Sequence, residues 1–340
     1  QLMKPGVSLL LVLLYLTGTG VVQASSELAS SQRPVHTYSI VARDPATGEL
    51  GVAVQSHWFA VGSLVPWAQA GVGAVATQSF IDVRYGVRGL QLMEQGKPAG
   101  EALKQLLAAD SNPAVRQVGM IDADGNIAQH TGENCIQHAG HLAGGNFAVQ
   151  ANLMAVEGVP QAMAKAYENT RGPLAERLLS ALEAAEALGG DLRGKQSAAV
   201  LVVRGKPGEH PWEDRLVDLH VEDHPTPLAE LRRLLTLHTA YRLMNLGDHS
   251  LEGGDIDGAL AHYGQAGALV PDNLEMKFWH AVSLLNAGRV GDAMPLFETV
   301  FRQDRDWQVL LPRLAEEDLV NTDPATLSRI VNVVPQEATQ

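Results

Sequence analysis

The chain has 340 residues, 46% of them hydrophobic, which is enough for a sizeable core and typical of about two domains. It carries 25 Lys and Arg against 38 Asp and Glu, a net charge of −13, and this balance disfavours binding to nucleic acid or to an anionic membrane by bulk electrostatics. A single cysteine, Cys135, excludes an intrachain disulfide framework and a multi-cysteine zinc site.

The N-terminal segment has the pattern of a secretory signal peptide. Lys4 precedes an apolar run from Val7 to Leu16, and the triplet Val22-Gln23-Ala24 suits signal cleavage. The run is shorter than the roughly 20 residues that span a bilayer, which disfavours a membrane anchor. We therefore predict a signal peptide at 1–24 and a secreted protein, periplasmic where the cell has two membranes. Residues 25–36 are Ser-rich, and we predict a flexible leader there.

Groups of strands and helices alternate from residue 37 to residue 221. We predict strands at 37–43, 50–56, 63–68, 72–79, 116–122, 127–131, 147–151, 198–203 and 216–221, and helices at 85–95, 99–109, 157–170 and 174–188. Turn formers at 44–49 and 124–125 indicate hairpins, hence antiparallel pairing. Helices inserted in pairs between strands predict a layered α+β fold with sheets inside and helices outside.

The pattern becomes all-helical after Pro225 and Pro227. Similar residues recur 34 positions apart at Gly254 and Gly288, Ala259 and Ala293, and Tyr263 and Phe297. The segment Asn245–Asn273 resembles the tetratricopeptide repeat, in which small residues let paired helices approach. We predict one domain at 37–224 and a helical repeat module at 225–335. Residues 245–305 of that module are expected to bind a protein partner or to support a homo-oligomer.

Several segments of the first domain carry a more specific resemblance: Thr37–Ser56, Ala60–Gln78, Arg84–Gly86, Ala139–His141, Phe147–Asn152 and Gly189–Ala199. Together they resemble the domain-of-unknown-function family 1028, whose members have an N-terminal-nucleophile (Ntn) hydrolase-like fold. The resemblance implies an α-β-β-α sandwich of two antiparallel sheets between helical layers. It implies no particular reaction, because the family has no established one.

An Ntn hydrolase uses the side chain of its first residue as nucleophile and the free α-amine of that residue as base. The fold implies Thr37 for this role, because Thr37 opens the first strand. Signal cleavage after Ala24 would leave twelve residues ahead of Thr37, so a further cut between His36 and Thr37 is required. Alternatively, Thr37 is only a β-forming residue. Ser39, on the same face of the strand, is a weaker candidate.

Other polar residues stand where strands end or begin. The catalytic candidates besides Thr37 are Ser56, His57, Gln150, Asn152 and Asp191, and the substrate-binding candidates are Gln78, Arg84, Arg193, Gln196 and Ser197. The hydroxyl and imidazole suit acid–base work, and the amides suit an oxyanion. Each has a structural alternative: a rim histidine, amides that tie strands together, and a charge pair that fixes a loop. We expect one end of the sandwich to bring together Thr37, Ser56, His57, Gln150, Asn152 and the Asp191–Ser197 loop.

His130, Cys135, His138 and His141 are zinc-ligand types, but their spacing matches no pattern that justifies a site. Cys135 is more readily explained as a small buried hydrophobe. The sequence also lacks a P-loop, a dinucleotide fingerprint and a G-x-S-x-G motif, so we predict neither a metal nor another cofactor.

Two functions remain open. The first, which the polar cluster favours, is an exported Ntn-type hydrolase of a small amide or peptide, with the repeats for docking or oligomerisation. The second, which the leader ahead of Thr37 favours, is a non-catalytic Ntn-like protein that binds a ligand or a wall fragment, with repeats that bind a protein. We prefer the enzyme, a hydrolase of C–N amide bonds.

Overall fold

The structure is a computed structural model that describes residues 37–334. The predicted signal peptide and leader lie outside the described residues. The strands of the described part are β1 (Thr37–Arg43), β2 (Leu50–Ser56), β3 (Pro66–Gln69), β4 (Gly73–Ser79), β5 (Arg116–Asp122), β6 (Ile127–Thr131), β7 (Gly140–Ala143), β8 (Phe147–Ala151), β9 (Ser197–Val203) and β10 (Arg215–Val221). The helices there are α1 (Arg84–Glu94), α2 (Ala99–Ala109), α3 (Val159–Asn169), α4 (Leu174–Ala187), α5 (Pro227–Glu252), α6 (Ile256–Leu269), α7 (Leu274–Asn286), α8 (Val290–Gln303), α9 (Arg305–Glu316) and α10 (Pro324–Val331). None of these helices is both long and apolar enough to cross a membrane.

Most predicted elements of the first domain are confirmed within one or two residues. The strand predicted at 63–68 is wrong at its start, because Val61–Ser63 form a 3-10 helix and β3 begins only at Pro66. The hydroxyl of Ser197, distant in sequence, accepts a hydrogen bond from the Val61 amide at 3.1 Å and so holds this turn. Strand β7 was not predicted, since its short sequence shows neither a buried run nor a clear hydrophobic alternation.

Two antiparallel sheets form the centre of a four-layer sandwich. One sheet has the order β10-β9-β2-β1-β8-β7 and the other β3-β4-β5-β6. Helices α3, α4 and the first part of α5 cover the six-stranded sheet, and α1 and α2 cover the four-stranded sheet. The predicted α+β class and Ntn-hydrolase-like layering are therefore confirmed. Strands such as β9 lack alternation because both of their faces are buried.

The two faces of β1 enter different layers. Tyr38, Ile40 and Ala42 pack with residues of α3 and α4, whereas Val41 packs with residues between the sheets. This alternation follows from the two-residue period of a strand. It places the side chains of Thr37 and Ser39 in the inter-sheet layer.

The long helix α5 packs against both parts of the chain. Leu228, Leu231 and Leu235 are buried in the core beneath the six-stranded sheet, whereas its later residues Ala240 and Met244 belong to the core of the helical module. The predicted boundary at 224 lies just before this helix. The division into a domain at 37–224 and a helical module at 225–335 stays a prediction.

The 34-residue spacing corresponds to equivalent positions in successive helix pairs. Gly254 and Gly288 both follow a helix with positive φ, 78° and 74°. Ala259 and Ala293 are fully buried at equivalent positions of α6 and α8. At Gly247, a Cβ would stand 3.0 Å from the ring of Tyr263, so the glycine permits close approach of α5 and α6.

Removing everything after His224 should destabilise the sandwich, because it deletes the three buried leucines of α5. We expect the free energy of unfolding to fall by about 5 kcal/mol or more, since a single buried leucine truncated to alanine costs about 2–5 kcal/mol. A matched truncation after Gly253 keeps these leucines and should retain most of the stability. Thermal unfolding followed by circular dichroism checks this. Equal unfolding midpoints for the two truncations would show that α5 does not support the sandwich.

Candidate functional site

Six strand ends meet at one end of the sandwich. In the six-stranded sheet, antiparallel pairing aligns Thr37 at the start of β1 with Ser56 at the end of β2, and Ser56 with Ser197 at the start of β9. Strand β8 also ends there. From the facing sheet, the end of β4 and the start of β5 reach the same level, where Gln78 pairs with Gln117. The predicted convergence around Thr37 and Ser56 is therefore present in the fold.

The inter-sheet layer changes character toward this end. It is apolar around residues such as Val41, Val54 and Ala76. At the end it contains a group of polar side chains, each no more than 1% exposed, which we call the polar layer: Thr37, Ser39, Ser56, Gln78, Gln117, Gln150, Asn152 and Ser197. Buried polar groups need partners, and many side chains of this layer bond to each other within a sheet or across the two sheets.

Thr37 is held through both its side chain and its main chain. Its Oγ1 donates to Ser56 Oγ at 3.1 Å. Its carbonyl oxygen accepts hydrogen bonds from the Asn152 main-chain N at 3.1 Å and from Gln78 Nε2 at 3.0 Å, with Asn152 Nδ2 at 3.5 Å. A hydroxyl of nucleophile type thus lies beside a second hydroxyl at the start of a rigid strand.

Gln117 is the residue of the polar layer that sequence reasoning missed. Its Oε1 accepts from Gln78 Nε2 at 2.7 Å and from Asn152 Nδ2 at 2.8 Å. Its Nε2 lies 2.9 Å from Ala151 O, 3.2 Å from Gly140 O and 3.0 Å from Thr131 Oγ1. Gln117 therefore orients both amides that bind the Thr37 carbonyl. The signal was available: an amide on the inward face of an otherwise buried strand.

Gln150 lies one inward-facing position deeper than Asn152, opposite Ser39 in the strand register. Its Nε2 donates to Ser39 Oγ at 3.2 Å and to Ala76 O at 3.1 Å in the facing sheet. Ser39 in turn donates to Gln78 Oε1 at 2.6 Å. Gly119 leaves room for the Gln150 amide, because a Cβ there would stand 3.3 Å from Oε1. Of the two predicted amides, Asn152 is the one at the level of Thr37.

The segment 189–197 reaches the same end of the sheet and fixes its loops. The Asp191 carboxylate accepts a hydrogen bond from the His57 main-chain N at 3.1 Å and pairs with Arg193 at 2.8 Å. Ser197 Oγ donates to the carbonyl of Trp58. Asp191 and Arg193 therefore pair with each other, as in the structural alternative, but they do so beside the residue that follows Ser56.

Two substrate-binding candidates, Gln196 and Arg84, engage other partners. The Gln196 side chain donates to Asp223 at 3.1 Å on the surface, while its main-chain N donates to Ser56 O at 3.1 Å. Arg84 forms a 2.5 Å ion pair with buried Asp82 at the start of α1. Gln196 thus contacts the Thr37 end of the sandwich only through its main chain. Arg84 lies in an ion pair close to the C-terminal end of β4.

Electrostatics differ between the two faces of β1. Tyr38 points away from the polar layer, and burial, together with Glu186 and Asp191, raises the pKa of its phenol well above the ordinary value.

Burial also raises the pKa of the Cys135 thiol. A thiol with a raised pKa is a poor nucleophile at neutral pH, which disfavours Cys135 in that role.

The zinc-ligand types bind separate partners. His130 Nε2 lies 2.8 Å from Pro113 O, Cys135 Sγ donates to Arg116 O at 3.4 Å, and His141 Nδ1 lies 2.7 Å from Thr131 Oγ1. Over residues 37–334, no group of three or more His, Cys, Asp or Glu is arranged to hold a metal ion.

The fold and the buried polar end define an Ntn-hydrolase-like α+β sandwich with a helical module after it. Residues 37–231 match the model of a family described as a family of unknown function (DUF1028), and residues 250–311 match a tetratricopeptide repeat model. A crystal structure of a DUF1028 protein from Silicibacter pomeroyi is 30% identical, with a TM-score of 0.54 over 60% of this chain and 89% of that chain. None of the curated proteins matches.

The chain therefore belongs to the DUF1028 family and carries tetratricopeptide-type repeats after the family domain. Repeats of this type suggest a protein–protein interaction. The family description names no reaction.

The variant Gln117→Glu should test the hub role of this amide. It keeps the shape but replaces the donor of three hydrogen bonds by an acceptor, and leaving buried groups unpaired costs about 1–3 kcal/mol each. We expect the free energy of unfolding to fall by at least about 3 kcal/mol at pH 7. Gln129→Glu is the matched control, because Gln129 is partly buried and its Nε2 donates only to Val149 O among the described residues. The loss of unfolding free energy in Gln129→Glu should be clearly smaller.

The stability deficit of Gln117→Glu, its free energy of unfolding relative to wild type, should depend on pH in a defined direction. Burial raises the pKa of the introduced carboxyl above its unfolded value of about 4.3. The deficit of Gln117→Glu is therefore smallest below about pH 4 and grows as the pH rises through the folded pKa. Urea unfolding of wild type and variant at pH 4 and pH 7 measures it. A deficit that is equal at both pH values contradicts a buried position for this side chain.

Proposed function

We propose that the protein is an Ntn-type amide hydrolase whose nucleophile is the Thr37 hydroxyl, exposed by cleavage between His36 and Thr37. The observation that carries the proposal is the 3.1 Å hydrogen bond between Thr37 Oγ1 and Ser56 Oγ within the polar layer. A terminal threonine supplies both a hydroxyl and an α-amine with a pKa near 7.7–8.0, which is suitable for a general base at neutral pH.

In the proposed reaction, the Thr37 α-amine takes the hydroxyl proton as Oγ1 attacks the carbonyl carbon of the substrate amide. The C–N bond then breaks, and the leaving amine takes that proton. The acyl group is held on Thr37 as an ester. Water, activated by the same α-amine, hydrolyses the ester, so one amide and one water yield one carboxylic acid and one amine.

The neighbouring side chains have distinct proposed roles. Ser56 positions the Thr37 hydroxyl, and Gln78 holds the Thr37 main chain through its 3.0 Å bond to the carbonyl oxygen. Asn152 Nδ2 is the proposed oxyanion donor, in exchange for its long 3.5 Å contact with the Thr37 carbonyl. Asp191 and Ser197 act through the loops that they fix, and Gln117 is a positioning residue for both amides.

We further propose that the protein acts outside the cytoplasm and that residues 245–305 dock a protein partner. The first part rests on the signal-like segment 1–24, and the second on the match of the tetratricopeptide repeat model to 250–311. Fractionation of native cells, followed by immunodetection, tests export. Detection in the cytoplasmic fraction alone contradicts it.

The N-terminus of the native protein is the decisive test of the mechanism. Intact-mass measurement of protein from the native compartment should show a chain that begins at Thr37. This chain should be labelled by a peptide epoxyketone, because the hydroxyl adds to the ketone and the α-amine of the same residue opens the epoxide. Labelling therefore requires both groups on one terminal residue.

Matched variants identify the labelled residue. Thr37→Ser should keep labelling and Thr37→Ala should lose it, while Ser39→Ala, which removes the other β1 hydroxyl of the polar layer, should keep it. Ser56→Ala should lower the labelling rate by roughly tenfold, the equivalent of about 1.4 kcal/mol. A native protein that begins only at Ser25, or a Thr37-terminal chain that is never labelled, would overturn the hydrolase proposal in favour of the binding protein.

A further inference from the structure

Thr37 and Asn152, the proposed nucleophile and oxyanion donor, are both fully buried. A nucleophile attacks from a distance of about 3–3.5 Å, so a substrate carbonyl has to enter the layer in which both side chains lie. Some part of the Thr37 end therefore has to move before the proposed reaction starts. The segment that connects β6 to β7 has the properties expected of this moving part.

This segment crosses from one sheet to the other at the Thr37 end. Strand β6 is an edge of the four-stranded sheet, and β7 is an edge of the six-stranded sheet. Gly132 and Gly140 bound the connection, and we call residues 133–139 between them the strap. The Gly132 N donates to Arg116 O at 2.9 Å, and the Gly140 O accepts from Gln117 Nε2 at 3.2 Å. Both ends of the strap are thus anchored to β5, and each has a glycine that can absorb the backbone rotation of a hinge.

The strap contacts the residues that directly flank the polar layer. Its cysteine thiol donates to Arg116 O at 3.4 Å, and its Ile136 O accepts from Leu153 N at 3.3 Å. Arg116 precedes Gln117 in the chain, and Leu153 follows Asn152. Gln117 and Asn152 bond to each other at 2.8 Å. The strap therefore bridges the two strand ends just beyond this pair.

The strap is packed loosely against the rest of the domain. Its residues are half-buried or exposed, and none of them belongs to a hydrophobic cluster of residues 37–334. A cavity of about 260 Å³ adjoins its C-terminal half, lined by His138 and, from α3, by Gln161. Segments with few buried apolar contacts open locally at a lower free energy than the whole protein unfolds.

Backbone strain is concentrated around the closed strap. His138 within it, Leu153 beneath it and Ser79 at the end of β4 have positive φ angles of 57°, 51° and 68°. Burial raises the pKa of the Cys135 thiol and the Ser79 hydroxyl opposes this rise, which places Ser79 beside the strap. Such conformations are costly for residues other than glycine, and they cluster at switch regions. Opening removes the contact between the strap and Leu153, so the strain favours opening.

We propose that the strap is a lid, which closes the polar layer and swings on Gly132 and Gly140 to admit the substrate. This inference rests on the proposed function, because it assigns the access route to the same site. No residue of the strap takes part in the bond changes at Thr37. The rate of reaction at Thr37 is then reduced by the fraction of molecules in which the strap is closed.

Amide hydrogen exchange of the full chain tests the motion without a substrate. The Leu153 N–H bonds to the strap, whereas the N–H of Asn152, the residue before it, bonds to Thr37 O at 3.1 Å. After correction for intrinsic rates, Leu153 should exchange at least about tenfold faster than Asn152 and depend less on urea. Equal protection of the two amides would show that the strap opens only together with the sheets, which overturns the lid.

A reversible lock tests whether the motion controls access to Thr37. Cys135 is the only cysteine, so Ser79→Cys permits one disulfide, which ties the strap to the end of β4. On the protein that begins at Thr37, oxidation of this variant should slow labelling by the peptide epoxyketone at least about tenfold, and reduction should restore the rate. Wild type treated with the same oxidant is the control and should keep its rate. Loss of both free thiols confirms the disulfide, and where none forms the exchange measurement decides.

The outcomes separate the lid from the hydrolase. Equal labelling rates in the oxidised and reduced variant overturn the lid and leave the hydrolase proposal standing. Absence of labelling in both forms and in wild type overturns the hydrolase proposal, and the access role of the strap with it. Slower labelling of the oxidised form, together with faster exchange at Leu153, supports the lid.

Discussion

The need to pair buried polar groups between two sheets governs the functional end of this protein. The Thr37 carbonyl accepts bonds from Asn152 and Gln78, and both of these amides are oriented by Gln117. Because unpaired polar groups in a low-dielectric interior are costly, the members of such a network depend on one another. The conformation of Thr37 is therefore a property of the whole network, which draws on both sheets, and it persists only while the sheets keep their register.

The side chains between the two sheets are apolar along most of the strands and polar at the Thr37 end. Away from Thr37 the inter-sheet layer is filled by aliphatic side chains such as Val52 and Leu201, whose burial stabilises the packing of the two sheets. At the other end the same layer is polar. This arrangement suits a site that holds a nucleophile in one orientation. The apolar packing fixes the strands, and the strands fix the positions of the polar side chains at their ends.

The helical module is structurally continuous with the loops of the site. Arg232 on α5 pairs with Glu176 and Glu183 on α4, the latter at 2.8 Å. Helix α4 ends at Ala187, and the chain then enters the segment that contains Asp191 and Ser197. The helix that carries the repeats and the loop that borders Thr37 therefore pack against the same element. The family match extends past the last strand to residue 231 and so includes Leu228 and Leu231, which are buried in the core beneath the six-stranded sheet.

The sequence by itself determined the local structure and the spacing-based features. The β-branched runs and the turns between them specify β1 and β2 to the residue, and the 34-residue recurrence identifies equivalent helix pairs, since both depend on neighbours close in the chain. The tertiary structure alone decided which polar residues meet. Gln117 joins the site, Gln196 points to Asp223 and Val61–Ser63 turn rather than extend, because their partners are contributed by strands and loops far away in sequence. Such partners depend on sheet order and register, which local periodicity does not encode.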